Sequence, residues 1–222
     1  MLIRFRIRGS VRYLSHAETV KVFQRACVRA GIRVQHSGGF NPRPKLSLPL
    51  PRSVGVETDD DLLCLRAAGC GRADKGLKSS IEGEQFKASL CDELPEGIEV
   101  LGVRVGQAKT TFEPRLATYL LAVRAKYLDE KLKATIKGLL ASESLNLERL
   151  IDAKKSRFKN VDVRGFLKSI ELDDEGIVVE CRISSAGSIR VEEILKLLEL
   201  DAEKLAAPIR RTRVQWQEKT KD

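Results

Sequence analysis

The chain opens on a regular alternation of apolar and charged positions. Between Leu2 and Arg8, apolar residues alternate with Arg4, Arg6 and Arg8, which is the period-two pattern of a strand with one buried face. We therefore expect an N-terminal strand whose inner face enters a core. Its outer face would present the three arginines in a row.

A helix is predicted shortly after this strand. Ser15, with Glu18 three residues later, fits a capping box, so the helix should begin at Ser15. Apolar residues recur at helical spacing from residue 20 to residue 30 and form one stripe. A second stripe is cationic and consists of Lys21, Arg25 and Arg29. Like charges at this spacing repel each other by a few tenths of a kcal/mol per pair, so we expect an anionic partner opposite them.

A loop rich in glycine, proline and cations follows a short predicted strand at 32–35. It reads His36-Ser-Gly-Gly-Phe-Asn-Pro-Arg-Pro-Lys45. Glycine permits unusual backbone angles and proline fixes the chain direction, and a loop built in this way either holds a difficult turn or binds something. The candidate binding residues in and near this loop are Arg12, Tyr13, His36, Gly39, Phe40, Asn41, Arg43 and Lys45.

The remaining pattern predicts two halves with the same order of elements. Strands at 46–50, 61–67 and 98–105 and a helix at 75–94 complete a β-α-β-β-α-β order in the first half. After a predicted linker at 110–115, the second half repeats that order, with strands at 119–126, 163–172, 176–184 and 209–216 and helices at 129–141 and 191–200, the last capped by Ser188. The expected fold class is α+β, with two ferredoxin-like (βαββαβ) halves in tandem and mostly antiparallel sheets. The expected domains are residues 1–108 and 116–218.

The positive charge of the chain is gathered at one end. Residues 1–52 carry eleven Lys or Arg and one acid, a balance of +10, whereas the remainder has a balance of −1. Such a segment makes a local field that attracts nucleic acid, phosphates or an acidic partner, although a basic face can also serve solubility alone. A second charged cluster, with Lys155, Asp162 and Arg164, is interpreted as a solvated turn or as a binding rim.

Several classes of protein are not supported by the sequence. No apolar run approaches the ~20 residues of a membrane helix, and the N-terminus lacks the apolar core of a signal peptide, so we expect a cytoplasmic protein. The five cysteines are scattered and odd in number, which favours reduced thiols over disulfides, a metal site or an iron–sulfur cluster. We expect neither a cofactor nor a metal. For catalysis, only His16 and His36 are weak candidates.

Three segments of the sequence resemble one family. Arg12-Tyr-Leu-Ser-His16 and Gly39-Phe-Asn-Pro-Arg-Pro-Lys-Leu-Ser47 resemble its first-half motifs, and Val161-Asp-Val-Arg-Gly165 resembles its second-half motif. The family is that of the radical SAM-linked proteins, a domain of unknown function (DUF2344). The resemblance implies a stand-alone partner of a cobalamin-binding radical-SAM protein. Because the family has no settled activity, the resemblance implies no mechanism.

Three functions remain open at this point. The leading hypothesis is a non-catalytic module that holds RNA or another phosphorylated substrate for a radical-SAM enzyme, using the arginine row, the helix stripe and the loop. The second is an enzyme acting on a nucleotide or phosphorylated substrate, with His36 or His16 as the acid–base group and Arg43 and Lys45 as anion clamps. The third is an adaptor whose basic face docks on an acidic protein.

Overall fold

The computed structural model describes residues 1–67, 77–105, 110–152 and 157–220. In these residues it is a mixed α+β protein with four α-helices and a mostly antiparallel eight-stranded sheet. The helices are α1 (His16–Arg29), α2 (Leu77–Cys91), α3 (Glu130–Ala141) and α4 (Val191–Leu197). The strands are β1 (Leu2–Ile7), β2 (Leu46–Ser47), β3 (Glu57–Leu65), β4 (Ile98–Arg104), β5 (Thr110–Leu121), β6 (Asn146–Asp152), β7 (Arg157–Asp162), β8 (Leu167–Asp173), β9 (Gly176–Arg182) and β10 (Arg210–Thr220).

The chain divides into two compact units. Unit 1 comprises Met1–Pro114 together with the chain from Trp216 onward, and unit 2 comprises Arg115–Gln215. Strands β5 and β10 each pass from one unit into the other. None of the helices in the described ranges is long and apolar enough to cross a membrane.

Unit 1 is built around β1, whose alternating pattern produces the predicted buried face. β1 pairs antiparallel with β3 on one side and with β4 on the other, and β2 pairs with β3. Ile3, Phe5 and Ile7 are almost completely buried. The ring of Phe5 packs edge-on against Phe23 of α1, with 4.8 Å between centroids. The apolar positions of the strand and the helix stripe thus form one core.

Helix α1 begins as predicted. The backbone N–H of Glu18 donates to Ser15 Oγ at 3.3 Å, and the N–H of Ser15 donates to the Glu18 carboxylate at 2.8 Å. This reciprocal capping box satisfies two backbone donors that the first turn of a helix leaves open. The hydrogen bond with Ser15 also lowers the pKa of Glu18.

In unit 2, β9 pairs antiparallel with β5 on one side and with β8 on the other. The predicted hairpin between β8 and β9 is confirmed, because Asp173 lies opposite Gly176 across a tight turn. Gly176 has φ +140°, and a Cβ at that position would collide with the carbonyl of Leu121. A glycine is therefore required where the hairpin passes close to β5.

Three local predictions are wrong. Residues 110–115 are the first half of β5 and do not form a linker; their threonines and Phe112 favour an extended strand, and this preference outweighs Pro114. Residues 146–152 and 157–162 form an antiparallel pair of strands, β6 and β7, that the sequence pattern did not predict. Helix α4 is capped at Arg190 instead of Ser188, because the carboxylate of Glu193 reaches back to the Arg190 N–H at 2.8 Å.

Candidate functional site

The three arginines on the outer face of β1 are ion-paired. Arg4 makes two hydrogen bonds to Asp60 of β3, at 2.8 and 2.6 Å, and its pKa is raised chiefly by that contact. Arg6 lies 3.3 Å from a carboxylate oxygen of Glu99 on β4. Arg8 pairs with two carboxylates at the start of β3. Acidic neighbours within the sheet therefore compensate the predicted row of cations.

The cationic stripe of α1 is divided. Arg29 is ion-paired with Glu93, with 2.6 Å between Nε and the carboxylate. Lys21 and Arg25 are exposed, and no carboxylate of the described residues comes within ion-pair distance of either. Only two of the three predicted helix cations thus remain available to an external anion.

The predicted binding loop is a narrow hairpin, which we call hairpin 34–45. Its base is closed by a ring of three backbone hydrogen bonds. Gln35 N donates to Arg66 O at 2.7 Å, Arg66 N donates to Lys45 O at 2.9 Å, and Lys45 N donates to Gln35 O at 2.7 Å. The three side chains of this ring are exposed. The base of the hairpin therefore lies beside the residue that follows β3.

The arms of hairpin 34–45 continue the pairing toward its tip. His36 lies opposite Pro44, Ser37 N donates to Arg43 O at 2.8 Å, and Arg43 N donates to Ser37 Oγ at 2.9 Å. Beyond this closure, residues 38–42 form the tip.

The tip itself is entirely exposed. Gly39 has φ +102°, a backbone angle that favours glycine, and it allows the chain to reverse there. Phe40 follows with a relative exposure of 105%, and Asn41 beside it is exposed as well. The tip therefore presents an aromatic ring and an amide to solvent.

Three cations lie on or beside this hairpin. They are Arg43, Lys45 and Arg66, and we call them the hairpin cations. All three are exposed, and within the described ranges no carboxylate lies within 4 Å of their charged groups. Lys45 lies next to Arg66 because Leu46 pairs with Leu65 in the β2–β3 register. Like charges at neighbouring cross-strand positions are unfavourable, so an anion between them would relieve a repulsion.

Arg66 was not among the residues that the sequence singled out. It lies near the end of the predicted strand at 61–67 and looks like an ordinary exposed strand residue in the sequence. Only the pairing of the hairpin base brings it beside Lys45. Arg33, at the entrance to the hairpin, is a further exposed cation.

Arg12 and Tyr13 are engaged with each other. The guanidinium of Arg12 lies 4.4 Å from the centroid of the Tyr13 ring, and its Nη2 donates to the Tyr13 hydroxyl at 2.8 Å. This segment is fixed by Arg52, which is only 8% exposed and donates to the carbonyls of Arg12, Leu14 and Val56. One face of the Tyr13 ring is therefore covered.

The two histidines lie in different settings. His16 is the first residue of α1 and is partly buried, and its Nδ1 has no hydrogen-bond partner in the described part of the chain. His36 is exposed on an arm of hairpin 34–45. No described side chain hydrogen-bonds to either imidazole, so neither shows the oriented partner typical of general acid–base catalysis. In the same residues, no cluster of His, Cys, Asp and Glu could hold a metal ion.

Asp162 and Arg164 serve local structure. Asp162 accepts backbone hydrogen bonds from Leu145 and Arg164, at 2.8 and 2.9 Å, and these bonds lower its pKa. The guanidinium of Arg164 donates to the carbonyls of Leu140 and Ser142 at the end of α3, both at 2.8 Å. The motif Val161–Gly165 thus joins α3 to the turn before β8. Lys155, the third member of this predicted cluster, lies outside the described residues.

The comparison with known proteins gives one finding. The model of a family described as "uncharacterized protein conserved in bacteria (DUF2344)" matches residues 1–197. No curated protein matches the chain.

Proposed function

The chain belongs to the DUF2344 family, whose description names no activity, and from hairpin 34–45 we propose that it is a non-catalytic module that binds RNA or another phosphorylated ligand. The observation that carries this proposal is the set of hairpin cations, Arg43, Lys45 and Arg66, which are exposed and have no described carboxylate in range. Phosphate oxygens are the acceptors that such cations contact in nucleic-acid complexes.

The contrast with β1 supports this assignment. On β1, each arginine meets a carboxylate supplied by a neighbouring strand. Around hairpin 34–45 the described residues provide no such acid, and two of the cations are adjacent in the sheet register. A stable surface does not require that arrangement, since like charges side by side oppose folding. Binding of an anion by the two adjacent cations explains this arrangement.

Lys21 and Arg25 of α1 are a second group of cations in the same unit. They too lack a described carboxylate within ion-pair distance. We propose that they add phosphate contacts to those of the hairpin. Their contribution is testable separately, because they can be changed without altering the hairpin.

We also infer that each unit has a ferredoxin-like topology. The support is the strand order β4-β1-β3-β2 in unit 1 and β10-β5-β9-β8 in unit 2. Unit 1 has the order β-α-β-β-α-β along the chain, and unit 2 has the same order once the separate strand pair β6–β7 is set aside. RNA-binding sheets of this kind use aromatic side chains on the open sheet face. Here the outer face of β1 carries ion-paired arginines, which favours the hairpin as the binding surface.

A cobalamin-binding radical-SAM protein as partner is implied only by the family resemblance, and it stays a prediction. Co-purification of such a protein with the tagged chain at low salt, unaffected by nuclease, would support it. The same result without any RNA binding would favour the adaptor function over the RNA-binding function.

The proposal is tested by fluorescence polarisation with a labelled 12-nucleotide RNA in low salt. The double variant Lys45→Glu/Arg66→Glu should bind at least about tenfold more weakly, because two phosphate contacts become repulsive. A matched control is Lys137→Glu/Lys196→Glu, which reverses two exposed lysines of α3 and α4 in unit 2. Equal losses in both variants, or no loss in the hairpin variant, would refute the proposed site.

A further inference from the structure

Phe40 is the most exposed large apolar side chain among the described residues, with a relative exposure of 105%. Single exposed apolar residues are common on protein surfaces and need no explanation by themselves. Phe40 differs because the backbone holds it outward. Paired arms close the hairpin behind it, Gly39 reverses the chain, and two prolines follow.

Each of the other exposed aromatic residues in the described ranges has a neighbour over its ring or across the strand pair. Tyr13 is 60% exposed, but Arg12 covers one face of its ring. Phe158 is 57% exposed and lies directly opposite Leu150 in the β6–β7 register, where a cross-strand neighbour is within reach of its ring. Phe40 is thus the exposed ring that no described side chain covers.

Two of the hairpin cations, Arg43 and Lys45, follow Phe40 closely along the chain. Arg43 and Lys45 are two residues apart on one arm, so their side chains leave the same side of that arm. An aromatic ring beside a row of cations is the arrangement with which proteins bind single strands, because the ring stacks on a base while the cations follow the phosphates.

Building on the proposed phosphate site, we propose that Phe40 is a stacking platform for an unpaired base. The site then selects single-stranded over double-stranded nucleic acid. In an A-form duplex, the base faces are covered by their neighbours and the major groove is too narrow for side chains. A protruding phenyl ring finds a free base face only in single-stranded regions, loops and ends.

The test crosses two changes, one in the protein and one in the ligand. The protein is wild type or Phe40→Leu, which keeps an apolar side chain and removes the aromatic face. The ligand is a labelled 12-nucleotide strand or the same strand with tetrahydrofuran abasic residues, which keeps the phosphates and removes the bases. Each affinity is measured by fluorescence polarisation across a salt series.

Phe40→Leu should weaken binding of the base-bearing strand roughly five- to hundredfold, the range of base–aromatic stacking. It should leave binding of the abasic strand unchanged, so that the two changes are strongly coupled. Phe40→Trp should retain affinity, and the matched control Phe158→Leu should have no effect. The slope of affinity against salt should be the same for wild type and Phe40→Leu, because stacking releases no counterions. Wild type and Phe40→Leu should bind a 12-base-pair duplex with equal affinity.

The possible failures of this experiment are distinguishable. If wild type binds in a salt-dependent way and Phe40→Leu binds the base-bearing strand equally well, stacking is wrong and the phosphate site stands. If Phe158→Leu causes the same loss, the hairpin tip is not the platform. If wild type binds neither strand, the proposed function fails and the stacking inference fails with it.

Discussion

Individual arginines have three different roles in this chain. Arg4 is exposed and bound to Asp60 on the next strand. Arg52 is buried and donates to backbone carbonyls. Arg66 is exposed and has no described carboxylate in range. Only the third kind offers its charge to a ligand, so a total count of cations overstates the binding surface.

We predict that Arg52 contributes to the free energy of unfolding. Arg52→Ala removes hydrogen bonds to the carbonyls of Arg12, Leu14 and Val56 and leaves those acceptors buried or partly buried. We expect a loss of about 3 kcal/mol in unfolding free energy, since an unsatisfied buried polar group costs roughly 1–3 kcal/mol. Urea unfolding followed by circular dichroism measures it. Arg66→Ala, on an exposed arginine, should change stability by less than about 0.5 kcal/mol; equal effects of both variants would contradict the structural role of Arg52.

The buried ion pair of unit 2 gives a prediction about pH. Arg149 donates to both carboxylate oxygens of Glu193, at 2.5 and 2.7 Å. Burial opposes ionisation of Glu193, but the hydrogen bonds from Arg149 and from the Arg190 N–H outweigh it, and the pKa is lowered. A carboxylate with a lowered folded-state pKa stabilises above its unfolded pKa, and this stability is lost as the pH falls through the folded value.

Wild type should therefore be more stable than Glu193→Gln at pH 7, and the difference should shrink below about pH 4.5, the ordinary value for glutamate. Urea unfolding at a series of pH values measures this difference. Glu192→Gln, on an exposed neighbour in α4, is the control and should show little change. A difference that grew on acidification would contradict the lowered pKa.

The residues of the candidate site were partly accessible from the sequence. Phe40, Arg43 and Lys45 stood out because glycine and proline surround them within ten residues. Arg66 did not stand out, because its place beside Lys45 depends on the pairing of segments twenty residues apart. The compensation of Arg4 by Asp60 was hidden for the same reason, although the acidic run at 57–61 is evident in the sequence.

At the scale of elements, α1 is both a core helix and a candidate binding surface. Its apolar side, which includes Phe23, Ala26 and Cys27, is buried, and its opposite side carries Lys21 and Arg25. The pairs formed by Arg25 with its cationic neighbours one turn away repel each other. The helix therefore retains a repulsion between like charges on this side.

Lys21→Gln/Arg25→Gln tests the role of these charges. The helix should become more stable by a few tenths of a kcal/mol, since like-charge repulsion is relieved. RNA affinity should fall if the two cations contact phosphates. Thermal unfolding and fluorescence polarisation on the same preparation measure both effects. Unchanged affinity would remove α1 from the binding surface and leave the hairpin.

Elements with a strong local signal were predictable, and those that depend on distant pairing were not. β1, the start of α1 and the hairpin between β8 and β9 followed from alternation, capping and turn residues. The strand pair β6–β7 was missed because both strands are charged and largely exposed, so they lack the apolar alternation of a half-buried strand. The first residues of β5, 110–115, were interpreted as a linker because Pro114 suggested that no strand passes through them.

At the scale of the whole molecule, the concentration of charge in residues 1–52 remains a fact of the sequence. The structure changes its meaning, because β3 and β4 of the same unit supply acids to β1. Within residues 1–52, most of the cations that have no described carboxylate in ion-pair range lie at hairpin 34–45 and on one side of α1. We therefore expect that a few defined cations, and not the net charge, bind phosphate.

The salt dependence of RNA binding tests that claim most directly. Each phosphate contact contributes about 0.7 to the slope of log affinity against log salt for a single strand. Lys45→Gln/Arg66→Gln should therefore lower the magnitude of the slope by about 1.4 relative to wild type. The control Lys137→Gln/Lys196→Gln, with the same change in net charge, should leave it unchanged. Equal slopes in wild type and the hairpin variant, or equal reductions in hairpin variant and control, would contradict the account.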